Sequence, residues 1–136
     1  MSEPSVDVVA FDVNETLFSL DRLGAAFEIA GLDPRSVPLW FARVLRDGAF
    51  LTVVGEYAHF NDIAREQLWE LAPGPFDEGG ISTVMEAFYT LDPYPDAETA
   101  LVMLRDVGVR VVTLTNGGAD WIGRLLQRAE PPKRQS

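Results

Sequence analysis

Val6-Asp7-Val8-Val9-Ala10-Phe11-Asp12-Val13-Asn14-Glu15-Thr16-Leu17 is the stretch on which the fold turns. Its first half is a short apolar run rich in β-branched residues, the pattern of a buried parallel strand. The run stops at Asp12 and gives way to polar residues. A second run of the same kind, Val109-Arg110-Val111-Val112-Thr113-Leu114, stops at Thr115-Asn116-Gly117-Gly118. Polar side chains therefore gather where each strand ends, and in open α/β sheets ligands bind at that edge.

Between the two runs the apolar spacing becomes helical. Leu20, Leu23, Phe27 and Ala30 share one face, with Gly31 as a C-terminal stop. Asp33-Pro34 reads as an N-cap and first-turn proline, opening a helix with the stripe Val37, Trp40, Phe41, Val44, Leu45, Gly48, Leu51. A third stripe, Phe60, Ile63, Ala64, Gln67, Leu68, Leu71, ends at Pro73-Gly74-Pro75, and a fourth is Ile81, Val84, Met85, Phe88. After Pro93-Tyr94-Pro95 a helix with Ala97, Leu101 and Leu104 inside is closed by Gly108 and feeds the second strand. Ile122, Leu125, Leu126 and Ala129 mark a last helix, and residues 130–136 read as a disordered polar tail.

The 136 residues carry 21 acidic against 11 basic side chains, a formal charge of −10. Such a balance lacks the basic footprint that nucleic acids and anionic membranes require, so neither is expected as a partner. There is no cysteine, which excludes a disulfide framework, a thiolate metal site and a cysteine nucleophile. With no stretch long enough to span a bilayer and an acidic start at Met1-Ser2-Glu3-Pro4, a cytoplasmic protein is expected. The single histidine, His59, reads as a surface residue rather than a metal ligand.

Asp12 at a strand's carboxyl end suits a nucleophile or a ligand, because the strand fixes it while the loop leaves it accessible. A turn-capping role fits the residue type equally well. Thr115, Asn116 and Gly117 offer a hydroxyl, an amide and backbone N–H groups ahead of a helix, a setting that suits an anion.

Taken together, residues 11–17, the helical insert, Leu91-Asp92-Pro93-Tyr94-Pro95-Asp96 and Leu114-Thr115-Asn116-Gly117 resemble the haloacid dehalogenase superfamily, within it the type II 2-haloacid dehalogenases. The resemblance implies an α/β fold, a partial Rossmann-like parallel-sheet core (1–17 and 93–129) with an inserted α-helical cap (18–92). It implies hydrolysis of small 2-haloacids without a cofactor or metal. Asp12 matches the family's nucleophile, Thr16 the threonine of its loop, Thr115 the residue that holds the substrate's anionic group, and Asn116 the asparagine beside it. Asn14, Gly117, Trp40 and Arg43 complete the expected substrate contacts. Where Asn14 stands, the phosphatase branch has a second aspartate as general acid. An amide cannot donate that proton, but a departing halide does not need it.

Two departures accompany the resemblance. The family's arginine after the tryptophan is replaced by Phe41, leaving Arg43 or Arg46 on the same helix to receive a halide. The later lysine and acidic motifs have no counterpart, since the only lysine is Lys133 in the tail. A chain shortened at its C-terminal side is expected, and an open sheet edge that favours self-association. The alternatives are a silent binding relative and, less favoured, a magnesium phosphatase.

Overall fold

The computed structural model describes residues 5–115 and 119–129. In chain order the elements are β1 (Val8–Phe11), α1 (Leu23–Ile29), a 3-10 turn (Pro34–Ser36), α2 (Val37–Val53), α3 (Phe60–Leu71), α4 (Glu78–Tyr89), α5 (Pro95–Asp106), β2 (Arg110–Thr113) and α6 (Ala119–Ala129). β1 and β2 pair in parallel, with Val8 opposite Arg110 and Phe11 opposite Thr113. The expected tail at 130–136 lies outside the described residues. Among the described residues no helix is long and apolar enough to cross a membrane.

Local chemistry sets the element ends. Gly31 and Gly108 take the left-handed backbone, φ 82° and 77°, that closes a helix without a Cβ penalty. The Asp77 carboxylate accepts the Gly80 N–H at 2.9 Å and so caps α4. Asp33 does cap a turn, accepting the Arg35 N–H at 2.9 Å, but that turn is 3-10 and α2 starts only at Val37. The Arg35 guanidinium also holds the Asp33 carboxyl below its ordinary range, chiefly through their side-chain hydrogen bonds.

Trp40 is the centre of the packed helices. Fully buried, it meets Phe27 and Phe88 edge-on, with ring centroids 5.8 and 5.7 Å apart, and its indole N–H donates to the Ala64 carbonyl at 3.0 Å. Phe60 stacks on Phe88 at 5.5 Å. Around these rings α2 packs on α3 and α1 on α4, and α6 adds buried Ile122 and Leu125 against α4. Gln67 is buried, its amide donating to Asp47 at 2.7 Å and to Glu70 at 3.1 Å, while its Oε1 has no hydrogen-bond partner among the described residues.

The sheet departs from expectation. Both strands pair in parallel as the sequence indicates, but neither is buried: in each, exposed and half-buried positions alternate. Val8 and Val112 are each 39% exposed, and Leu114 just beyond β2 is 75% exposed. A parallel strand is buried only where neighbours flank it and layers cover both faces. Among the described residues the sheet has two strands, and only α5 packs substantially against β2.

Candidate active site

Phe11 and Thr113 are the last paired residues of the two strands, so Asp12 and Thr115 emerge at the same carboxyl edge. One more ladder bond, Leu114 N–H to the Phe11 carbonyl at 2.8 Å, carries the pairing to the point where the loops begin. The backbone after Asp12 then winds tightly. The Val13 carbonyl accepts N–H groups from Thr16, Leu17 and Phe18 at 3.3, 2.9 and 3.2 Å. Val13, Leu17 and Phe18 are buried while Asp12, Glu15 and Thr16 are exposed. Alternating anchored and free residues present the carboxylate to solvent on a loop that cannot drift.

Within that loop the Thr16 hydroxyl donates to Asp12 Oδ2 at 3.4 Å. Among the described residues that is the Asp12 carboxylate's one hydrogen bond, and it has no ion-pair partner. Glu15 sits at φ 59°, a left-handed conformation a side chain adopts at a cost of about 1–3 kcal/mol. The bond from Glu15 N–H to the Phe18 carbonyl, 2.8 Å, shows what holds it there. The carboxamide oxygen of Asn14 is buried and without a hydrogen-bond partner. Such an atom is costly unless a donor reaches it.

A latch that the motifs did not reveal fastens this loop to the chain's return from the helices. Ser19 N–H donates to the Asp92 carbonyl at 3.0 Å, and Tyr94 N–H to the Leu17 carbonyl at 2.9 Å. Phe18 bridges to Pro93 as well as to Asn14. Arg22 clamps the same junction, donating to the Thr90 carbonyl at 3.0 Å and pairing with Asp92 at 3.4 Å. The sequence carried a faint signal for it in the matched apolar entry and exit, Leu17-Phe18 and Leu91-Asp92-Pro93.

Asp12, Asn14, Thr16 and Thr115 thus share one edge. Asn116 and Gly117 lie outside the described residues. Trp40 shares its helix face with buried Val37 and Val44, and its indole N–H donates to the Ala64 carbonyl at 3.0 Å, so what it presents to its surroundings is apolar surface. Arg43 is half-buried on α2 and bonded to none of the site residues. A cavity of about 240 Å³ lies between α2 and the turn into α3, lined by Val44, Leu45, Gly48, Leu51, Phe60 and Ile63 among others. None of the expected site residues lines it.

No family model matches the chain. It is 29% identical over 130 residues to (S)-2-haloacid dehalogenase of Xanthobacter autotrophicus, covering 91% of this chain and 50% of that protein. It is 26% identical over 129 residues to haloacetate dehalogenase H-2 of Moraxella sp. strain B, covering 91% and 58%. The solved L-2-haloacid dehalogenase from Xanthobacter autotrophicus, one form of which has chloropropionic acid covalently bound, matches with a TM-score of 0.77 at 28% identity, over 92% of this chain and 52% of that one. The chain spans about half the length of the curated relatives it matches. Over that span it is haloacid dehalogenase-like in sequence and in fold.

Proposed function

We propose that this haloacid dehalogenase-like chain carries the nucleophile of a carbon-halogen hydrolase acting on small 2-haloacids. The observation that supports it most is the placement of Asp12 at the carboxyl end of β1, with the Thr16 hydroxyl on its carboxylate and Thr115 at the end of the adjacent strand. In this reading residues 1–17 and 93–129 form the sheet-bearing part, 18–92 the cap, and the protein acts in the cytoplasm.

The chemistry follows from a fixed, exposed carboxylate. One Asp12 oxygen attacks C2 of the haloacid as the carbon-halogen bond breaks, and the halide leaves with the bonding pair. An ester between Asp12 and the acid remains. Water then attacks the Asp12 carboxyl carbon, releasing the 2-hydroxyacid and a proton and restoring the carboxylate. Thr16 holds the carboxylate oriented, leaving its other oxygen to react. Thr115, with Asn116 and Gly117, receives the substrate's carboxylate through hydroxyl and amide donors, which a chain of net charge −10 must supply locally. The Asn14 amide lies beside the reaction without titrating, and halide departure requires no acid.

Halide release from 2-chloropropionate tests this, with Asp12→Asn as the control. Release by the wild-type chain that vanishes in Asp12→Asn is the expected result. A single turnover in ¹⁸O-water should place the label in Asp12, since water attacks the enzyme's carboxyl carbon. Release that persists in the variant overturns the assignment.

One observation favours a second reading, a relative that binds without turning over. Asp12 has no cation beside it among the described residues, so nothing there offsets a second negative charge brought by the substrate. A 2-haloacid that protects the wild-type chain against thermal unfolding while no halide appears would favour that reading.

A further inference from the structure

A second cavity, of about 590 Å³ and open to solvent, lies between α1 and α4 with α6 at its side. Its volume is that of a small-ligand pocket, and no residue of the Asp12 edge lines it. Arg22, just ahead of α1, donates to the carbonyl of Thr90, just past α4. The two helices therefore pack antiparallel, and the cavity between them has two unlike ends.

One end is cationic. Arg22 lines it and makes both its hydrogen bonds, to Thr90 and Asp92, through Nη1; its Nε and Nη2 have no partner among the described residues. Arg124 of α6 also lines the cavity, and it has no hydrogen-bond or ion-pair partner among the described residues. Its charge reaches the same end, next to Thr90: burial holds the Tyr89 phenol above its ordinary range, and the charges of Arg65 and Arg124 oppose that shift. Two guanidinium groups with uncommitted donors thus meet at one cavity in a chain of net charge −10. Their planar forks suit a carboxylate.

The remainder is largely apolar. Ala25, Ala26 and Ala87 line its middle, and Ile29, 76% exposed, stands toward the other end with Thr83. Short methyl side chains leave space for a narrow, unbranched tail. Arg22 and Ile29 are seven residues apart, about 10 Å along an ideal helix, so the tail is of medium length. Glu86 is the acid among the lining residues, one turn before Thr90. It repels an anion placed anywhere but at the arginines, and so fixes which way the ligand lies.

We propose that this cavity binds a monocarboxylate with an unbranched apolar tail, its head between Arg22 and Arg124 and its tail toward Ile29. This binding does not depend on the chain's being an enzyme. Octanoate is the probe, followed by amide chemical shifts of the full chain. It should move the Ala25, Ala26, Thr83 and Ala87 signals with a dissociation constant on the order of 0.1–1 mM. Ala25→Trp, at an exposed position, should abolish the shifts with the far-ultraviolet circular dichroism unchanged. Arg124→Glu should weaken binding about tenfold, and Arg124→Lys should keep most of it. Glu86→Gln should tighten it about threefold by removing the repulsion, and octylamine should bind about tenfold more weakly than octanoate. No shifts at about 10 mM octanoate overturn the proposal. So do shifts centred on Val13 to Leu17 and Thr115, which place the carboxylate at the Asp12 edge, and an affinity that neither Ala25→Trp nor Arg124→Glu changes. Octylamine binding as tightly as octanoate overturns the assignment of an anion.

Discussion

Trp40 and Leu114 are both large apolar side chains placed by regular structure, yet Trp40 is fully buried and Leu114 is 75% exposed. Trp40 belongs to helices that close on one another, each contributing part of a shared core. Leu114 belongs to a parallel pair whose two faces need layers that the described residues supply only in part. A helical bundle is satisfied locally, because its backbone hydrogen bonds are internal and each apolar stripe finds the next. A sheet defers both requirements to its neighbours.

The edge that carries Asp12 lies on the junction between these two kinds of structure. Asp12 sits at the end of the open sheet, but Val13, Leu17 and Phe18 just after it are buried with the helices. The latch to Asp92 and Tyr94 then fixes the loop from the helical side. The position of Asp12 therefore depends more on the helices than on its own strand. That explains how a loop on a sparsely covered sheet holds a residue at a left-handed backbone angle, Glu15 at φ 59°.

The largest effect should come from breaking the closed region. Trp40→Ala removes a ring that touches Phe27 and Phe88 together with the indole donor that reaches the Ala64 carbonyl. A loss of about 3–5 kcal/mol is expected, read by urea unfolding followed by circular dichroism. A loss under about 1 kcal/mol would mean that the helices do not form the stable part of the chain. Smaller, but in the same region, Asp77→Ala should cost about 1 kcal/mol by releasing the Gly80 N–H at the start of α4. Asp77→Asn should keep most of that, because an amide oxygen still accepts.

The helices and the strand pairing were legible because their signals are periodic. Trp40, Val44, Ile63, Leu68, Val84 and Phe88 all fall on the expected stripes and all are buried. The expected strands, Val6 to Phe11 and Val109 to Leu114, contain β1 and β2, shortened at their ends. Burial of those strands was not legible, because an apolar run states what a strand needs and not whether it is met. At the site, Asp12 and Thr115 were singled out from the abrupt end of each strand and Thr16 from the resemblance, and the structure sets Asp12 and Thr115 at one edge with the Thr16 hydroxyl on Asp12. The latch escaped because it is made by backbone groups of Leu17, Ser19, Asp92 and Tyr94, and backbone hydrogen bonds leave no mark in side-chain patterns.

The smallest effect should come from the open region. Leu114→Ser deletes nearly as much apolar surface as many core substitutions, but from a side chain already 75% in water. Because burial energy scales with area removed from water, the folded and unfolded chains lose almost the same hydration cost. The Leu114 N–H still donates to the Phe11 carbonyl, so the ladder is unchanged. The unfolding free energy should therefore move by no more than about 0.5 kcal/mol, while solubility rises as the exposed patch shrinks. If Leu114→Ser instead costs as much as Asp77→Ala, the sheet is covered in solution by something that buries Leu114. Repeating the titration over a range of protein concentrations then identifies the cover: a cost that grows with concentration places another molecule on the sheet, and a constant one places a segment of the chain itself there.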